Sequence, residues 1–288
     1  MTIPTEPGAG GTRTLDLIRA RRATMSKAEQ RIAACILDEP AAMVRISITE
    51  LAERAGVGEA TVSRFCRRLG LQGFLDLKIS IATEALPAAI ALDGDQVARS
   101  SPVTGPQQEA ARIAALLDHS ASLLDPGALV AAAQALSRAG RIDVYGQGAS
   151  AVAALDAQHA LNRFGLVVSA PQDTHTQAMS AALLKPGDVS LAFSHGGSSK
   201  DVVSTQQRAR RNGAKTICIT GAAHSPLVAV SDIVLLTAAE DTLVSNIRRR
   251  MIQLFALQLL LEECARIIGH PAREALERTT AAIVEKMY

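Results

Sequence analysis

A chain of 288 residues with 48% hydrophobic side chains is long and apolar enough for about two domains with sizeable cores. Its most apolar run, Met251 to Leu261, is broken by Gln253 and Gln258 and falls short of the ~18 apolar residues that a membrane-spanning helix needs. A formal charge of +2, from 30 basic and 28 acidic residues, argues against a generally basic nucleic-acid binder, so any DNA contact must come from a local cluster.

The four cysteines, Cys35, Cys66, Cys218 and Cys264, form no C-x-x-C pair. They read as buried thiols in apolar-periodic stretches, and neither a disulfide frame nor a zinc site is expected. The start of the chain lacks the apolar core of a signal peptide, so a cytoplasmic protein is expected.

In chain order, residues 1–11 are rich in Gly and Pro and are read as irregular. A first helix is expected over 12–24, with Leu15, Ile18 and Met25 on one side. Ser26-Lys-Ala-Glu29 is a capping box opening a helix with Ile32, Ala33, Ile36 and Leu37 inward. Asp38-Glu-Pro40 ends that helix.

Ser47 then caps the first of two short helices joined by a tight turn. Leu51, Ala55, Val57, Val62 and Phe65 are apolar at positions that can share one small core, Ala52 is small where the two helices must approach closely, and Gly56 supplies the left-handed backbone of the turn. The second helix, from Glu59 to Leu69, turns Val62, Phe65 and Leu69 inward. Glu59, Ala60, Thr61, Ser63, Arg64, Arg67 and Arg68 are left outward or flanking, a pattern that suits a recognition helix in a DNA groove. Phe74, Leu75 and Leu77 are expected to cover the motif's core. Lys78 is a candidate phosphate contact or a solvated lysine. Residues 12–90 form this all-α helix-turn-helix domain, and the Pro- and Gly-containing stretch 91–106 reads as a linker.

Residues 107–288 change character. Five short apolar runs, 141–145, 166–169, 188–193, 216–220 and 232–237, read as strands buried on both faces. They alternate with helical stretches near 150–164, 173–184, 199–212 and 225–230, and helices near 107–138 (broken at Pro126-Gly127) and 243–268 frame them. This is an α/β three-layer sandwich with a five-stranded parallel sheet.

Two of these strands run directly into small polar loops, Gly146-Gln-Gly-Ala-Ser150 and Ser194-His-Gly-Gly-Ser-Ser199. Beyond the carboxyl ends of parallel strands, such loops cradle anions on backbone amides and helix N-termini. Gly146, Gly148, Ser150, Ser194, His195, Gly197, Ser198 and Ser199 are therefore candidate phosphate-site residues. The first loop also fits G-x-G-x-x-A, but Asp173 opens a helix rather than ending a strand, and the serine loop has no place in a dinucleotide site. His159, His175 and His195 have no metal-ligand spacing. Glu240 is either a pocket carboxylate, the candidate base of a sugar isomerase, or a helix cap.

The chain resembles the RpiR family of bacterial transcriptional regulators. The resemblance rests on Ser26-Lys-Ala-Glu-Gln-Arg-Ile-Ala33, Ala60-Thr-Val-Ser-Arg-Phe-Cys-Arg-Arg-Leu-Gly70, Gly73-Phe74 with Lys78, Gly146-x-Gly-x-Ser150, Pro186-Gly-Asp188, the Ser194 loop and Ser225-Pro-Leu227. It implies a helix-turn-helix domain joined to an SIS (sugar isomerase) domain that senses a phosphosugar without catalysis or cofactor. It also implies a homodimer or homotetramer docking on a palindromic operator in double-stranded DNA. Three positions depart from the family pattern: Gly196 removes a loop hydroxyl, Gly58 replaces a serine before Glu59, and Arg249 stands where a serine often precedes Arg250. The rival reading is a sugar-phosphate isomerase with a vestigial N-terminal domain, against which the arginine-bearing second helix argues.

Overall fold

The computed structural model describes residues 14–43, 46–84, 105–239 and 246–286. The chain divides into two compact units, 1–104 and 105–288. The residues expected as linker lie outside the described residues up to 104.

The first unit is all helical. Helices α1 (Thr14–Arg21) and α2 (Lys27–Asp38) are separated by a 3₁₀ turn, Arg22–Thr24, where one helix was expected. The capping box forms: Glu29 N donates to Ser26 Oγ at 3.3 Å, and Ser26 N donates to Glu29 Oε2 at 2.8 Å. Pro40 does not merely stop α2. It opens a short helix, α3 (Pro40–Met43), since its missing N–H and fixed φ suit a first helical position.

Helices α4 (Ile48–Arg54) and α5 (Glu59–Arg68) are the expected pair, and residues 74–84 form α6. Ile18, Ile32, Ile36, Leu51, Val62, Phe65, Cys66, Leu77 and Ile81 form one buried cluster that fixes α5 against its neighbours. Truncating a buried Phe such as Phe65 to Ala costs about 3–5 kcal/mol. Leu75 is exposed, contrary to the sequence expectation, because α6 turns Leu77 and Ile81 inward instead. Cys66, Cys218 and Cys264 are buried and Cys35 is half-buried.

The second unit opens with α7 (Pro106–Leu123) and α8 (Pro126–Ser137), separated where Pro126-Gly127 foretold. Five strands follow: β1 (Ile142–Gly146), β2 (Val168–Ser169), β3 (Val189–Phe193), β4 (Lys215–Thr220) and β5 (Ile233–Leu236). They are all parallel, in the order β2-β1-β3-β4-β5. Helices α9 (Ala149–Arg163), α10 (Thr174–Leu183), α11 (Lys200–Arg211), α12 (Pro226–Ala229), α13 (Asn246–Ile268) and α14 (His270–Val284) cover the sheet. Helix α14 lies beyond the last helix expected from the sequence.

Alternation along each strand builds a core on both faces. Val144, Leu191, Phe193, Ile217 and Ile219 pack with Leu136, Ala153, Ala256 and Leu260 of α8, α9 and α13. On the other face Tyr145 packs with Ala181 and Ala209, and Ala192 and Cys218 with Val202 and Leu227. Among the polar residues of the strands, the acidic Asp143 is fully buried. Its carboxylate accepts from Arg141 Nε at 2.8 Å, from the Tyr145 hydroxyl at 3.0 Å and from the Ser180 hydroxyl, so its charge is satisfied. That surrounding, burial first and the neighbouring carboxylate second, pushes the Tyr145 phenol far above its ordinary value.

No described helix is long and apolar enough to cross a membrane, and no cluster of metal-ligating side chains occurs among the described residues.

Candidate functional site

Two sites emerge, one in each unit. In the first, Ser47 Oγ accepts from Glu50 N at 3.0 Å and starts α4. Gly56, at φ +61°, ends it, with Val57 N donating to Ala52 O at 2.8 Å. Arg31 of α2 braces this turn through Nε to Ala55 O at 2.8 Å and Nη2 to Gly56 O at 3.1 Å. The Ser26–Ala33 motif contains Arg31 without assigning it a role; it satisfies carbonyls that the helix end leaves open.

Gly58 caps α5 without a side chain. Val62, Phe65 and Cys66 face the core, so the opposite face presents Glu59, Ala60, Arg64, Arg67 and Arg68 to solvent, with Thr61 and Ser63 half-buried. Arg64 Nη2 donates to Thr61 Oγ1 at 3.3 Å. Glu59 Oε1 accepts from the Thr49 hydroxyl at 2.6 Å, which ties the starts of α4 and α5 together.

Two residues expected as DNA contacts also have protein partners. Arg68 Nη1 lies 2.8 Å from Glu29 Oε2 and 3.0 Å from Oε1, so it fastens α5 to the capping box of α2. Lys78 Nζ donates to Ile46 O at 3.2 Å and sits 5.8 Å from the Phe74 ring centroid. Burial lowers the Lys78 pKa, and Glu50 partly opposes this.

In the second unit, the β1–β3 register pairs Gly146 with Phe193. The two polar loops therefore leave adjacent strand ends, at the point where the strand order reverses and ligands of open α/β sheets bind. Between them lies a cavity of about 190 Å³. The first loop contributes Gln147, Ala149 and Ser150, and the second contributes Ser194, His195, Gly196 and Ser199. Helix α13 closes the third side with Arg249 and Gln253. The volume is below the ~300–1,000 Å³ typical of pockets for drug-sized ligands and suits a small metabolite.

The expected glycines shape the backbone here rather than lining the cavity. A Cβ on Gly146 would collide with the Ser150 carbonyl, so glycine lets the first turn of α9 close over the strand end. Gly197, at φ +60°, leaves room for Ser225, whose side chain a Cβ would overlap. The second loop is further held by Leu227 N donating to Gly197 O at 3.0 Å and Gly221 N to His195 O at 2.9 Å. Gly148, at φ +57°, is the N-cap of α9.

Of the four expected serines, Ser150, Ser194 and Ser199 line the cavity, as does His195. The Ser198 hydroxyl donates instead to Gly196 O at 3.1 Å. Glu240 lies outside the described residues. Sequence reasoning did not place Gln253, whose Nε2 donates to Ser150 Oγ at 3.0 Å. A serine oxygen that accepts this bond keeps its own proton to donate to a ligand. Gln147 and Gln177 stiffen the first loop: Gln147 Nε2 donates to Gln177 Oε1 at 3.0 Å, and the fully buried Gln177 donates to Gly146 O at 3.1 Å.

Comparison with known proteins agrees with both halves. Residues 12–87 match the helix-turn-helix domain of the rpiR family, and residues 135–263 match the SIS domain. The transcriptional regulator HexR of Pseudomonas aeruginosa is 36% identical, over 95% of this chain and 96% of its own. The transcriptional regulator RpiR of Escherichia coli is 28% identical, over 92% and 90%. The structure of the Vibrio vulnificus NanR protein complexed with ManNAc-6P superimposes with a TM-score of 0.80 at 25% identity, covering 95% of this chain and 99% of that one. HexR and RpiR are named as helix-turn-helix transcriptional regulators, and this chain belongs to the RpiR family of such regulators.

Proposed function

We propose that the protein binds operator DNA through α5 and that a sugar phosphate seated between the two serine loops alters that binding, as a regulator of carbohydrate metabolism. The observation that carries this reading is the Gly146–Phe193 register, which joins Ser150, Ser194 and Ser199 around one small cavity beside two helix N-termini. The complex of the NanR relative with ManNAc-6P supports the ligand class.

Arg64 and Arg67 contact phosphates or guanine edges, Thr61 and Ser63 contact phosphates or base edges at half-buried positions, and Ala60 leaves room for the groove wall. Glu59 accepts from a cytosine amine while the Thr49 hydroxyl orients it. The effector acts by favouring one arrangement of the oligomer over another. Exposed Val152 and Leu155 on α9 and Ile247 and Met251 on α13 offer apolar surface for pairing into a dimer or tetramer on a palindromic site. Such a regulator works in the cytoplasm, with residues 12–90 as its DNA-binding domain, 91–106 as linker and 107–288 as sensor.

The test is a pair of variants. Arg64→Ala is expected to weaken DNA binding while keeping sugar-phosphate binding, and Ser194→Ala the reverse. A single variant that loses both while remaining folded, or neither variant having an effect, contradicts the division of labour.

A further inference from the structure

We infer that Arg249 is the ligand-contacting residue that makes the pocket select a phosphate dianion over a neutral sugar. This rests on the sugar-phosphate reading above and names the charge that reading leaves unassigned.

The two loops offer dipoles: hydroxyls from Ser150, Ser194 and Ser199, an amide from Gln147, and backbone N–H groups. Arg249 is the one side chain with a permanent charge among the described lining residues. Its direction is set independently by Gln253. The two are four residues apart on α13, so they share one helix face. Gln253, 1% exposed, anchors that face to Ser150 Oγ at 3.0 Å. Arg249 therefore stands one turn back along α13, over the same rim.

The charges also match. A phosphate monoester carries about −1.5 to −2 at pH 7. The N-termini of α9 and α11 begin at the two loops, with no side-chain cap bond at Gly148 or Ser199. Each supplies roughly half a positive charge. Those two ends alone leave about half to one charge unmatched, and Arg249 is the cationic side chain among the described lining residues that can contact the phosphate oxygens. Neighbouring Arg248 is not among the described lining residues, and its Nε and Nη2 pair with Glu109 of α7 at 2.6 and 2.9 Å.

The experiment titrates the full-length protein with inorganic phosphate, followed by ³¹P NMR line broadening, for wild type, Arg249→Gln and Arg249→Lys. Saturable phosphate binding by wild type is expected. Arg249→Gln is expected to weaken it about ten- to a hundredfold, the loss for one charge-assisted hydrogen-bonded contact. Arg249→Lys, which keeps the charge, should recover most of it. Circular dichroism melts show that each variant is folded, and the lysine variant keeps the test intact if the glutamine variant is not. Wild-type affinity in folded Arg249→Gln, or a lysine variant as weak as glutamine, overturns the assignment of Arg249 alone. No saturable binding by wild type overturns this inference and the phosphate pocket together.

Discussion

Replacing Arg68 with glutamine separates two roles for an arginine on a recognition helix. Its guanidinium straddles both Glu29 oxygens at 3.0 and 2.8 Å and reaches Thr24 O at 3.4 Å. The Glu29 side chain is 12% exposed and that of Arg68 is 57% exposed. A fully exposed pair contributes about 0.2–1 kcal/mol, and hydrogen bonds to charged groups reach about 1.5–3 kcal/mol. With one partner in water and one nearly buried, about 1 kcal/mol is expected, which a small domain of about 60–100 residues registers as a fall of about 4–8 °C in Tm. DNA affinity falls only as far as α5 loosens. The dependence of log K on log salt separates this from a direct contact, because each lost phosphate contact reduces the slope by about 0.9. Fluorescence anisotropy across a salt series should therefore give a wild-type slope for Arg68→Gln and a shallower one for Arg64→Ala or Arg67→Ala. A wild-type Tm with a slope reduced by about one would refute a positioning role and make Arg68 a phosphate contact.

Other perturbations follow from particular contacts. Gly197→Ala forces a left-handed backbone costing about 1–2 kcal/mol and drives a Cβ into Ser225, whereas Gly148→Ala meets nothing within 4 Å. Melting curves should show the larger loss for Gly197→Ala, and equal losses would contradict the packing of the serine loop. Burial alone would raise the Glu29 carboxyl, but the Ser26 backbone and hydroxyl bonds and Arg68 outweigh it and hold the pKa below its ordinary value. A depressed carboxylate stabilises above its unfolded pKa of about 4.3 and loses that contribution as pH falls through the folded value. Urea titrations of Glu29→Gln should show a deficit at pH 7 that shrinks in acid, and a deficit constant with pH would disprove the linkage. Gln253→Leu removes the partner of Ser150 Oγ and is expected to weaken sugar-phosphate binding by calorimetry while leaving DNA affinity alone. Unchanged ligand affinity would show that Ser150 needs no such orientation.

Much of the fold was legible because local rules agreed with the global arrangement. Ser26 with Glu29 and Ser47 marked helix starts, Gly56 marked the turn, and the five apolar runs marked strands, of which β1, β3 and β4 are buried while the edge strands β2 and β5 are largely half-buried. The two serine loops were legible because they follow strand ends directly. Strand order was not legible: the β1–β3 pairing that brings the loops together is a long-range fact with no local signature. For the same reason α13's share of the pocket was missed, although polar Arg249 and Gln253 at i, i+4 on an apolar helix were a usable signal. Helix α14 was overlooked because only its Ala272 and Ala275 are buried, too little to stand out as an apolar stripe. The protein partners of Arg68 and Lys78 were not legible because sequence shows charge but not partners, and Glu29 and Ile46 O lie far from them in the chain.

The most direct test of the central claim is the affinity of the intact protein for DNA from upstream of its own gene, with and without each of a panel of sugar phosphates. It is measured by fluorescence anisotropy at fixed salt. Specific binding that one sugar phosphate shifts, with the shift lost in Ser194→Ala, is the expected result. Specific binding that no sugar phosphate alters would contradict the proposal that the serine-lined cavity governs DNA binding.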